Sequence, residues 1–126
     1  MTLIMIDASA WIECLRGTEI GARVQKCLER NKCMTPSIIV SEICSHTQRT
    51  GFDPEAAFRA VATTEIVPLT AELSKTAGLL HARHKTKNDK FSIGDAVLLA
   101  TARKFEAKIL TKDGDFRNMP EAILLK

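Results

Sequence analysis

Several features are missing from this chain, and each absence narrows the reading. No apolar run approaches the roughly 18 residues that a membrane-spanning helix needs. The first residues, MTLIMIDASAW, carry no basic segment, and Asp7 interrupts their apolar run, so no signal peptide is expected and the cytoplasm is the default location. The four cysteines (Cys14, Cys27, Cys33 and Cys44) form no C-x2-C pair, which argues against zinc and for buried free thiols acting as small hydrophobes. There is no internal repeat and no low-complexity segment. No serine with an adjacent base suggests nucleophilic catalysis.

What is present is an ordinary globular composition. With 126 residues, 45% hydrophobic and 26% charged, residues 1–126 are expected to form a single domain with one buried core. The formal net charge of +3 says little until it is divided. If five of the 15 acids (Asp7, Glu42, Asp95, Asp113 and Asp115) gather in one pocket, the other ten face 18 bases, a body of about +8. An acidic pocket on a basic body suits a polyanion whose phosphate must meet bound cations.

The order of elements follows from caps and periodicity. Residues 2–6 (TLIMI) read as a strand buried on both faces. Ser9 is placed to cap a helix ending at Gly17, and Thr18 to cap a second helix over 19–30. Residues 33–35 look strand-like, and Pro36 opens a helix closed by Gly51. Asp53-Pro54 begins another helix, residues 65–69 form a strand broken near Pro68, and Thr70 caps a long helix over 71–85. After a polar loop at 85–90, Ser92 caps a helix carrying AVLLATA. KILT is a strand, Lys112-Asp113-Gly114-Asp115 a turn, and AILL a last strand. Strands alternate with helices, which predicts an α/β layered domain with a mainly parallel sheet.

In such a sheet, ligands bind beyond the carboxyl ends of the strands at the topological switch point. Asp7 closes the first strand, and Asp113 follows Thr111 at the end of a later one. Asp95 lies in the first turn of the helix before that strand, and Glu42 lies one turn after Ile38. If the two strands are neighbours, four carboxylates share one crevice. Like charges within about 4–6 Å oppose one another's ionisation, so such a crevice calls for hard cations with oxygen ligands, Mg²⁺ or Mn²⁺. Each acid also has a purely local reading. Asp7 could make an Asx turn, Asp95 could complete a Ser92-x-x-Asp95 capping box, Asp113 and Asp115 could serve the turn, and Glu42 could face solvent. Arg83, Lys85, Lys87 and Lys90 could steer an RNA backbone or merely complement a helix end. Trp11 reads as a core or interface residue.

The segments IMIDASAW, PSIIVSEI, SIGDAVLLATA and ILTKDGDF, in that order and at these separations, resemble those of PIN-domain ribonucleases, and within that group of VapC-type toxins of toxin–antitoxin pairs. The resemblance covers essentially the whole chain. It implies a three-layer α/β/α fold with a five-stranded sheet of order 3-2-1-4-5. It implies Mg²⁺- or Mn²⁺-dependent endonucleolytic cleavage of RNA by an activated water. It maps Asp7, Glu42, Asp95 and Asp113 onto an acidic quartet. Asp7 and Asp95 would then bind metal directly, while Glu42 and Asp113 would bind a second ion or orient waters. Ser9 and Thr111 match supporting hydroxyls, and Asp115 a variable fifth acid. It further implies a homodimer and an antitoxin partner held near the helices from Trp11 to Leu28. The alternatives are a solitary RNA-processing nuclease and a non-catalytic PIN-like RNA-binding module. An aspartyl-phosphate enzyme is disfavoured, because Ser9 stands where such enzymes carry a second aspartate.

Overall fold

The computed structural model describes residues 2–126. Strand β1 (Leu3–Ile6) leads through Asp7 into helices α1 (Ala8–Arg16) and α2 (Glu19–Arg30). Strand β2 (Lys32–Pro36) is followed by α3 (Ser37–Thr50) and α4 (Pro54–Val61). Strand β3 (Glu65–Val67) precedes α5 (Ala71–Lys85) and α6 (Ile93–Lys104). Strand β4 (Lys108–Thr111), a 3-10 turn (Gly114–Phe116) and strand β5 (Ala122–Leu124) complete the described chain.

The sheet has the order β3-β2-β1-β4-β5, and all four strand pairs are parallel. The expected 3-2-1-4-5 order is therefore observed. β1 is central because its apolar run can be covered on both faces. Its side chains alternate, as a strand requires. Met5 joins Ile109, Leu73, Leu80, Leu98 and Phe116 on the α5–α6 side. Ile4 and Ile6 join Leu110, Trp11, Val24, Ile39 and Val61 on the α1–α4 side. Ile6 is wholly buried, a contribution of roughly 1.5–3 kcal/mol. Helix α6 is buried from Ala96 to Ala102, so it acts as an interior strut. Trp11 is a core residue as expected; its Nε1 donates to Thr35 Oγ1 at 3.2 Å.

Some boundaries differ from expectation. Ser9 does not cap α1. Asp7 does so, because its Oδ1 accepts from the Ala8 amide at 2.8 Å, while the Ser9 hydroxyl is turned toward β4. Gly17 stops α1 as expected, in a left-handed conformation (φ 69°) that costs glycine little. Pro36 is the last residue of β2 rather than the first of the helix. Helix α4 ends at Val61, since the Thr63 and Thr64 hydroxyls donate back to the carbonyls of Ala60 and Val61. Of the four cysteines only Cys33 is buried; Cys14, Cys27 and Cys44 are half-buried. Among the described residues, no helix is long and apolar enough to cross a membrane.

Candidate metal centre

The chain turns outward from β1 in opposite directions, to β2 and β3 on one side and to β4 and β5 on the other. The crevice between β1 and β4 is thus the switch point. Ile6 pairs with Leu110, which places Asp7 beside Thr111 at the carboxyl ends.

Asp7 is fastened across this junction. Its amide donates to the Leu110 carbonyl at 3.0 Å. Its Oδ2 accepts from Thr111 Oγ1 at 2.7 Å and from Ser9 Oγ at 3.1 Å. Ser9 Oγ in turn accepts from the Lys112 amide, and Thr111 Oγ1 from the Asp113 amide, both at 2.9 Å. The two supporting hydroxyls named from the sequence therefore tie one carboxylate to both strand ends. Asp7 is only 7% exposed. Burial pushes its pKa up, the Thr111, Ala8 and Ser9 hydrogen bonds pull it back, and the Asp113 charge pushes it up again.

Asp95 enters from α6. Its local reading is correct: Ser92 Oγ accepts from the Asp95 amide at 3.1 Å, and Asp95 Oδ2 accepts from the Ser92 amide at 2.9 Å. This capping box aims the carboxylate into the crevice. Burial raises the Asp95 pKa against its two Ser92 hydrogen bonds, with smaller contributions from Asp113 and Asp7. Asp113 caps the 3-10 turn, its Oδ1 accepting from the Asp115 amide at 2.9 Å. Asp115 Oδ1 accepts from Asn88 Nδ2 at 3.1 Å.

Asp95, Asp113 and Asp115 each offer an oxygen within 4.8 Å of the others, the one such group of His, Cys, Asp or Glu among the described residues. Asp7 and Glu42 lie outside that tight group but close enough for their charges to act on it. Glu42 stems from an exposed position on α3, yet its carboxyl end lies over Gly94. A Cβ on Gly94 would stand 3.1 Å from Glu42 Oε2, so the bare backbone of α6 makes room for it. Partial desolvation, then the charges of Asp7 and Asp95, push the Glu42 pKa up to about 7.

Two features were not visible in the sequence at this sharpness. Asp115, expected as a variable fifth acid, stands inside the tight group, because Asp113 caps the 3-10 turn by accepting from the Asp115 amide and so keeps the two residues together. Asn88 holds that acid from the polar loop; its only sequence signal was a turn-forming residue among lysines. Of the four basic residues considered for RNA, Lys87 shares a cavity wall with Asp115, while Arg83, Lys85 and Lys90 are exposed, with Lys85 Nζ donating to the Asp89 carbonyl.

The donor set fits a hard divalent cation. Every candidate ligand is a carboxylate oxygen. Among the described residues no Lys or Arg nitrogen lies within 4.0 Å of any of the five acids; the two ion pairs formed are Arg103–Glu121 and Lys112–Glu13. The acids are crowded, partly desolvated and left without a protein cation.

Fold and site together define a doubly wound parallel α/β domain with a carboxylate crevice at its switch point. The profile of the PIN domain matches residues 4–122, and the chain belongs to that family. No curated protein sequence matches the chain. Among solved structures it is similar to the toxin-antitoxin complex from Klebsiella pneumoniae (18% identity, TM-score 0.77, 95% of each chain covered). It is also similar to Mycobacterium tuberculosis VapC20, described as a sarcin-ricin loop cleaving toxin (21% identity, TM-score 0.76, 98% of this chain and 99% of that one). A third is VapBC2 from Rickettsia felis, bound to a DNA fragment from its promoter (16% identity, TM-score 0.76, 98% and 97% covered). At these identities the likeness is one of fold.

Proposed function

We propose that the protein is a Mg²⁺- or Mn²⁺-dependent endoribonuclease, the VapC-type toxin of a toxin–antitoxin pair, acting in the cytoplasm as a single-domain homodimer. The observation that carries this reading is a group of acids without a protein counter-charge at the switch point of a PIN fold. Asp95, Asp113 and Asp115 are the first candidates to hold an ion, with Asp7 and Glu42 completing the shell. A divalent ion held there supplies charge for a phosphate in flight and lowers the pKa of a water. Ser9 and Thr111 hold Asp7 in one orientation, and the Ser92 cap does the same for Asp95. The bases outside the crevice draw in the RNA backbone.

The similar folds described as toxin-antitoxin complexes support an antitoxin partner. A groove of about 190 Å³ lined by Ile12, Leu15, His46 and Phe52 offers apolar surface on α1 and the end of α3 for its segment. Leu79 and Ile93 are exposed on the paired helices α5 and α6 and suit a second copy of the chain.

Incubation with RNA and Mg²⁺, with and without EDTA, tests the reading. Cleavage is expected with Mg²⁺ and not in EDTA. Cleavage that survives EDTA, or that survives Asp7→Asn, overturns it. RNA binding without cleavage or metal binding identifies a non-catalytic module instead.

A further inference from the structure

The end of α5, the loop at 86–92 and the 3-10 turn enclose a second feature beside the acids. His84 stacks on Phe91 with ring centroids 5.1 Å apart and planes tilted by 34°. Phe91 meets Phe116 edge-on at 6.0 Å, and both phenyl rings are fully buried. The imidazole therefore rests on a rigid floor. Asn88 donates to Asp115 and accepts from the Lys90 amide at 3.0 Å, which ties the loop to the turn. Between them lies a cavity of about 330 Å³ whose wall also carries Lys87, Asn118 and Met119.

The wall is chemically specific. Among the described residues, no hydrogen bond engages the side chains of His84, Lys87 or Asn118. The cavity thus presents a supported aromatic ring, a thioether, one cation, and an amide with donor and acceptor both unfilled. Asp115 belongs both to this wall and to the acidic group, so the cavity opens one side chain away from the reacting centre. An anion is a poor occupant, because the Asp115 carboxylate offsets Lys87. A flat group with polar edges is a good one. Unpaired RNA bases are recognised in this way, stacked on aromatic rings including His and hydrogen-bonded along their edges.

We propose that this cavity holds one unpaired base of the RNA next to the scissile phosphate, with His84 and Met119 against its faces and Asn118 reading its edge. The proposal rests on the nuclease reading and makes the pocket its specificity element. Lys87 then lies beside the backbone of that nucleotide. The other four acids (Asp7, Glu42, Asp95 and Asp113) and the capping hydroxyls are not involved, so Asn118 and His84 change which RNA is cut without changing metal binding.

Nuclear magnetic resonance of the metal-free protein tests this with the four ribonucleoside 5′-monophosphates and with ribose 5-phosphate. The expected result is base-selective shifts at the His84 ring and the Asn88 and Asn118 side-chain amides, with those at His84 and Asn88 lost in Asn118→Ala. Shifts that are the same with ribose 5-phosphate, or none at these groups, overturn the proposal. In cleavage assays, Asn118→Ala is expected to lower discrimination between RNAs differing at the base beside the cut by about tenfold. A protein that cleaves RNA without base-selective shifts refutes the pocket and leaves the nuclease reading standing. Base-selective shifts in a protein that cleaves no RNA do the reverse.

Discussion

Helix α6 joins two charged regions that follow one electrostatic rule and end differently. Asp95 sits in its first turn and Arg103 in its last, each complementing the helix dipole. At the amino edge of the sheet, Arg103 pairs with Glu121 at 3.0 Å, and Lys108 Nζ donates to the Pro120 carbonyl. At the carboxyl edge, Asp95 meets Asp113 and Asp115 and no base. One end neutralises its charges within the protein. The other accumulates like charges, holds them in place with hydroxyls and amides, and leaves neutralisation to a ligand. The difference teaches that capping chemistry alone explains neither region; the partners decide.

The comparison breaks most sharply at Asp95. Asp95→Asn keeps the capping geometry and removes one charge. Cleavage of RNA in Mg²⁺ is expected to fall at least about a hundredfold, while metal-free thermal stability holds or rises. A variant that retains cleavage shows that the acid serves only the cap.

Thr111→Val is next. It removes the 2.7 Å donor to Asp7 and the acceptor of the Asp113 amide inside a fully buried site. A cost of about 1–3 kcal/mol in urea unfolding is expected, with about a tenfold loss of cleavage. Thr111→Ser restores the donor and most of the activity.

Glu42→Gln sharpens the contrast through pH. The Glu42 pKa is raised from the ordinary 4.5 to about 7 in the fold. Between those values the folded chain binds more protons than the unfolded one. The metal-free protein therefore keeps this stability below the unfolded value and loses it as pH rises through about 7. The position is exposed, so solvent screening limits the effect to about 1 kcal/mol. Glu42→Gln is expected to raise the melting temperature in EDTA at pH 8 and to leave it unchanged at pH 4, where both side chains are neutral. Equal shifts at the two pH values contradict the crowding at this carboxylate.

Glu121→Gln, at the other end of α6, is expected to change stability by less than about 1 kcal/mol and cleavage not at all, since a half-buried ion pair whose second carboxylate oxygen lacks a partner among the described residues contributes little net. A large loss there erases the distinction between the two edges.

Much of this was legible in the sequence because the chain marks its ends. A buried run closing on Asp7, a Ser92-x-x-Asp95 box and an Asp113-Gly114 turn each point to a chain terminus, and parallel sheets gather such termini at one edge. Alternation of strands and helices gave the layers. Glu42 was harder, since a mid-helix glutamate has no local signature; its place follows from Gly94, whose missing side chain lets it reach the crevice. Asp115 is hard to weigh in the sequence because the Asp113-Gly114 turn signal accounts for both acids locally; only the folded turn, capped by Asp113 through the Asp115 amide, shows that the two carboxylates stand together. Ser9 has the hydroxyl that suits a helix cap, but the aspartate two residues earlier occupies the helix start instead.

The central claim is that the acid group is completed by a divalent cation. Melting temperature measured against Mg²⁺ concentration, for the wild-type protein and for Asp95→Asn, tests it directly. A ligand that binds only the folded state must stabilise it increasingly with concentration. The account predicts a rising melting temperature in the wild type that Asp95→Asn abolishes. A flat response in the wild type, or the same rise in both proteins, contradicts it.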